Sequence, residues 1–118
     1  MTTNTDIKTD WNRLLGWLET TVGKRPADLN AVLFLIGIQE LGKGPRRYTK
    51  EQKQDLLHIA VCKVMSLSGY YEFEGYDKEG WPLWNLAQPL PYANLPEQEV
   101  FLQQHVLEYF AQEADFRL

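Results

Sequence analysis

Glu51, Asp55, His58 and Cys62 follow one another at spacings of four, three and four. On a helix those steps keep all four within about 60° of one stripe. Carboxylate, imidazole and thiolate are all zinc ligands, and neighbours at i, i+3 and i+4 can reach one ion. A second chemistry in the same residues is a Cys62 nucleophile assisted by His58. It lacks any sign of an oxyanion hole or of a lowered thiol pKa. Strong zinc signatures use paired Cys or His at fixed spacings, and this chain has one cysteine and two histidines. The stripe also lies opposite an apolar face, where a solvated polar edge is expected. Asp55, His58 and Cys62 are therefore weak metal candidates, and we expect no metal, no cofactor and no catalytic residue.

Three other groups could carry binding. Lys43, Arg46, Arg47, Lys50 and Lys53 stand against Glu51 alone in Gly42–Lys53, a net of +4. The segment leads into a helix N-terminus, where amide donors can hold an anion. Lys43, Arg46 and Arg47 are the expected anion contacts, with a solvated basic loop as the plainer reading. It is not a P-loop, because no Gly-Lys-Ser/Thr follows. His105 reads as a surface histidine on the polar side of the last helix, near Phe101 and Glu108. Tyr70, Tyr71, Phe73, Tyr76, Trp81 and Trp84 could line a ligand pocket, although aromatics in a hairpin more often pack as core.

The elements that position these residues are legible from periodicity. Leu29–Leu41 is apolar all the way round between Ala31 and Ile38 and reads as a central buried helix. It is too short to span a bilayer, which needs roughly 20 apolar residues. Asp28 can cap it and Gly42 can end it. Before it, Asp10 can cap a helix Trp11–Val22 whose apolar face is Trp11, Leu14, Leu15, Leu18 and Val22. Residues 1–9 read as a mobile lead and residues 10–118 as one globular domain. Thr49 and Gln52 form a capping box for a third helix running to about Leu67, with Leu56, Leu57, Ala60, Val61, Val64 and Leu67 facing the core.

Tyr70–Leu86 reads as a β-hairpin about the turn Asp77-Lys78-Glu79-Gly80. Pairing about that turn sets Tyr76 opposite Trp81, Phe73 opposite Trp84 and Tyr71 opposite Leu86. Alternation then places Tyr71, Phe73, Trp84 and Leu86 on one face and Tyr76, Trp81 and Leu83 on the other. A Pro-rich linker, Gln88–Pro96, leads to a last helix from about Pro96 to Ala114. Its apolar face is Val100, Leu102, Val106, Leu107, Tyr109 and Phe110. The expected fold is mainly α: four helices, with the hairpin between the third and fourth.

Composition narrows the function classes. The 118 residues carry 16 acidic and 12 basic side chains, a net of −4. That balance disfavours nucleic acid as a partner. A lone cysteine fits a reducing compartment, and the polar N-terminus shows no apolar export signal. A cytoplasmic location with no membrane partner is expected. Leu33–Gly42, Asp55–Lys63 and Gly69–Trp84 together resemble a group of short uncharacterised bacterial proteins, over most of the chain from Trp11 to Phe110. The resemblance implies a bacterial cytosolic protein and supplies no activity, ligand or site. The residues favour a non-catalytic interaction module. Tyr76, Trp81 and Leu83 are its expected contact patch, and its simplest partner is another copy of the chain. The alternative is a small enzyme or ligand-binding protein using the Glu51/Asp55/His58/Cys62 stripe or an aromatic pocket at the hairpin.

Overall fold

Ile7 lies one helical turn before Trp11 on the same stripe, and it extends the first helix backwards. The computed structural model describes residues 4–44 and 46–117, and α1 runs Asn4–Val22. The cap expected at Asp10 is therefore mid-helix, because burying Ile7 outweighs the polar composition around it. The expectation of a mobile lead over Met1–Thr3 falls outside the described residues. Val22, expected in the core, is 50% exposed. It ends the helix just before Gly23, whose φ of +88° and N–H to the Glu19 carbonyl (2.9 Å) make the left-handed cap.

Two compact units are discernible, 1–29 with 92–118, and 30–91. In the first, α1 packs against α4, Leu95–Glu113. Asn94 caps α4 by accepting the Glu97 N–H (3.0 Å), and the Glu97 carboxylate accepts the Ala93 N–H (3.1 Å). Leu14, Leu15 and Leu18 from α1 and Leu102, Val106, Leu107, Tyr109 and Phe110 from α4 are buried. Trp17, off the main stripe, packs its ring at 5.9 Å from Phe110 and 5.6 Å from Phe116.

The second unit holds α2 (Leu29–Leu41, entering from Asn30), α3 (Lys50–Ser66) and the hairpin β1 (Tyr71–Tyr76) and β2 (Pro82–Leu86). In α2 the exposed positions are Asn30 and Gln39, and no apolar residue is exposed. That is the burial expected of a helix without a polar face. Gly37 lets it pass close to α3: a Cβ there would stand 2.3 Å from the Leu56 carbonyl oxygen. The capping box of α3 forms as its sequence dictates, with Gln52 N–H to Thr49 Oγ1 (3.1 Å) and Thr49 N–H to Gln52 Oε1 (2.9 Å). Its buried set is Leu56, Ile59, Ala60, Cys62, Val64 and Met65. Leu57, Val61 and Leu67 are only half-buried. The single-faced expectation fails because α3 is covered on more than one side.

The hairpin follows α3 and lies against it through both strands. Its turn is built by Asp77: Oδ1 accepts the N–H groups of Glu79 and Trp81, each at 2.9 Å. Gly80 closes it with φ +86°. Four helices with a two-stranded antiparallel hairpin between the third and fourth is the mainly α architecture expected from the sequence. No helix among the described residues is long and apolar enough to cross a membrane.

Candidate functional site

The α3 stripe is only partly what its spacing suggests. Glu51, Asp55 and His58 are exposed, whereas Cys62 is fully buried. The solvated edge therefore ends one turn early. Cys62 Sγ and His58 Nε2 are 3.4 Å apart, so the thiol–imidazole pair does form. Burial pushes the Cys62 thiol up to about 12, because the apolar surroundings penalise the thiolate. A thiol held protonated through the physiological range is a poor nucleophile and a poor metal ligand. The His58 ring stands edge-on to Tyr71, with centroids 6.4 Å apart, which ties the exposed end of the stripe to β1. Among the described residues no three His, Cys, Asp or Glu side chains come together to hold a metal.

The basic segment splits by role. Lys43 Nζ donates to the Glu79 carbonyl at the hairpin turn, so that ammonium joins two loops. Arg46 and Arg47 are exposed. At the N-terminus of α3 the capping box already occupies the Gln52 amide, which leaves less of the helix end for an anion.

The hairpin departs most from expectation, and one residue is the cause. Tyr71 pairs with Leu86 and Phe73 with Trp84, as turn-centred counting requires. Between Phe73 and Gly75 the register shifts by one, so Gly75 opposes Leu83 and Tyr76 opposes Pro82. Glu74 is the extra residue of a β-bulge, and Gly75 adopts φ +107° to accommodate it. The bulge reverses the alternation beyond it. Tyr76 comes round to the face of Phe73, their rings 5.2 Å apart, and Phe73 in turn meets Trp84 edge-on at 5.4 Å. Trp84 itself is half-buried and its indole N–H has no acceptor among the described residues. The ring contacts must offset that buried donor.

The proposed grouping of Tyr76, Trp81 and Leu83 on one face is accordingly corrected. Trp81 turns inward and packs with Phe34 and Ile38 on the cluster Leu41, Tyr48 and Leu56. Tyr76 remains 66% exposed, joined by Phe73 at 49% and Leu86 at 51%, while Leu83, at 46%, points the other way. Phe73 and Leu86 were not among the expected contact residues. The available signal was Gly75, since a glycine inside a strand pattern often marks a bulge.

The first unit holds two further features. His105 is buried at 8% exposure, not on the surface. Its Nδ1–H donates to the Phe101 carbonyl (2.9 Å), and its ring lies on Phe101, centroids 4.3 Å apart, with Tyr92 beyond. A shallow groove of about 390 Å³ is lined by Arg13, Trp17, Asp115, Phe116 and Arg117. Arg13 is already engaged there: it pairs with Asp10, donates to the Arg117 carbonyl and lies over the Phe116 ring. Comparison with family models, with curated proteins and with solved structures gives no match.

Proposed function

We propose that this chain is a non-catalytic protein-binding module and that the hairpin is its contact surface. The observation that carries the reading is the exposure of Phe73, Tyr76 and Leu86 on one face of an element only two strands wide, with Leu83 exposed on the other. Glu72 and Glu74 add exposed charge to the same strand as Phe73 and Tyr76. A few aromatic and aliphatic anchors within a polar rim commonly provide most of the binding energy at a protein contact. The site also meets a requirement for such anchors, that they are held in place: Phe73 is fixed between Tyr76 and Trp84, and Trp81 fastens the turn end to the core. The enzyme reading draws less support, since the Cys62 thiol is kept from ionising.

Photo-crosslinking tests this reading. Benzoylphenylalanine is placed at Tyr76 in the producing cell, with Glu108, an exposed residue of α4, as the control position. A covalent adduct to a protein chain at position 76 and not at 108 is expected. No adduct at 76 above the control refutes the reading.

A further inference from the structure

We infer that the partner is a second copy of this chain, bound about a two-fold axis so that the hairpin of each copy covers the basic segment of the other. This rests on the hairpin being a contact surface. The hairpin is acidic as well as aromatic: Glu72, Glu74, Asp77 and Glu79 stand against Lys78, a net of −3. The basic segment 42–53 carries five cations against Glu51, a net of +4. The two lie side by side, because Lys43 Nζ reaches the Glu79 carbonyl. They do not neutralise each other. Among the described residues no ion pair engages Arg46, Arg47, Lys50 or Lys53, nor Glu72 or Glu74, and all six are exposed.

A molecule with two adjacent patches of opposite sign is complementary to its own rotated copy. In an isologous contact the acidic patch meets the basic one twice, and the assembly closes at two chains. The chemistry of the two patches also matches. Arg46 and Arg47 can pair with Glu72 and Glu74, or lay a guanidinium plane on the exposed rings of Tyr76 and Phe73. A nucleic acid would meet the basic segment but be repelled by the hairpin beside it. An unrelated basic protein would satisfy the hairpin and leave Arg46, Arg47, Lys50 and Lys53 uncovered.

Charge reversal tests the arrangement. Sedimentation of the purified chain is measured at low and high salt (about 0.05 M and about 0.5 M), where screening of exposed charge differs widely. The variants are Arg46→Glu with Arg47→Glu, and Glu72→Lys with Glu74→Lys, each checked for native helix content. Dimer is expected at low salt and weaker association at high salt. Each double variant alone should bind itself at least about tenfold more weakly, since like charges then face each other twice. The two variants mixed should restore a dimer, because both contacts regain opposite signs. The single reversals Arg47→Glu and Glu72→Lys repeat the test should either double variant misfold. A wild type that stays monomeric at low salt overturns the inference. So does a dimer indifferent to both reversals, or a mixture of folded variants that does not associate. If Tyr76 crosslinks to another protein while the pure chain is a monomer, the self-partner falls and the binding-module reading stands. If Tyr76 also gives no adduct, both fall.

Discussion

Replacing Gly37 by Ala should destabilise the protein, whereas the same change at Gly16 should not. Both glycines lie inside helices, where Ala is ordinarily favoured by roughly 1 kcal/mol. They differ in what a methyl would meet. At Gly37 the added Cβ would stand 2.3 Å from the Leu56 carbonyl oxygen and 2.9 Å from its carbonyl carbon. A carbon and a carbonyl oxygen in contact prefer about 3.3 Å. The helices must therefore separate locally by about 1 Å, and the obstacle is backbone, which cannot rotate away. Overpacking of that kind costs about 1–3 kcal/mol, occasionally more. A clash this short belongs at the upper end, so the net after the propensity gain is about 2 kcal/mol.

At Gly16 the nearest group is the mobile end of Arg25, at 3.8 Å, and Ala should stabilise by about 0.4–1 kcal/mol. The assay is urea unfolding followed by circular dichroism, with both variants compared at a common slope. In Gly37→Ala the midpoint should fall. The near-ultraviolet signal should also change, because Leu56 belongs to the cluster that seats Trp81. A Gly37→Ala protein as stable as the wild type would refute the close-approach argument. Equal losses at both glycines would show that the effect is not steric contact with α3.

Asp77→Ala removes the acceptor of two turn amides and should cost about 1 kcal/mol, with exchange of the Glu79 and Trp81 amide protons accelerating first in hydrogen-exchange measurements. For Cys62 the folded state favours the protonated thiol, so the unfolded chain ionises first as pH rises. Stability from this group is present below the ordinary value of 9.0 and is lost as pH climbs towards 12. Urea midpoints should therefore fall more steeply above pH 9 for the wild type than for Cys62→Ala. Iodoacetamide should label Cys62 only at the rate at which the domain opens, and fast labelling of the native protein would contradict the burial argument.

Local chemistry made much of the fold readable. The span of α2 follows from an unbroken apolar run closed by Gly42, and the start of α3 follows from Thr49 and Gln52 binding each other's backbone. The turn follows from Asp77 and Gly80. What was not readable depended on how many sides an element has covered. Cys62 and His105 sit at polar-looking positions of their helices and are buried because neighbours reach those sides too. Ile7 lies among polar residues, although its spacing from Trp11 carries the helical signal. The grouping of Tyr76, Trp81 and Leu83 on one face failed for a different reason. Counting outward from a turn assumes one residue opposite one, and Glu74 breaks that assumption before Tyr76 is reached.

The bulge makes the hairpin's exposed face depend on chain length more than on residue identity. Loss of the codon for Glu74 would leave Phe73 followed by Gly75 and Tyr76 in regular alternation, and the aromatic ladder would survive. Gain of one codon between Leu83 and Trp84 would give Glu74 an opposite number and straighten the ribbon. Tyr76 and Pro82 would then leave the face of Phe73, and Leu83 would take their place. Deletion at Glu74 thus keeps the aromatic face and removes one of the hairpin's charges, whereas insertion in β2 exchanges the two faces.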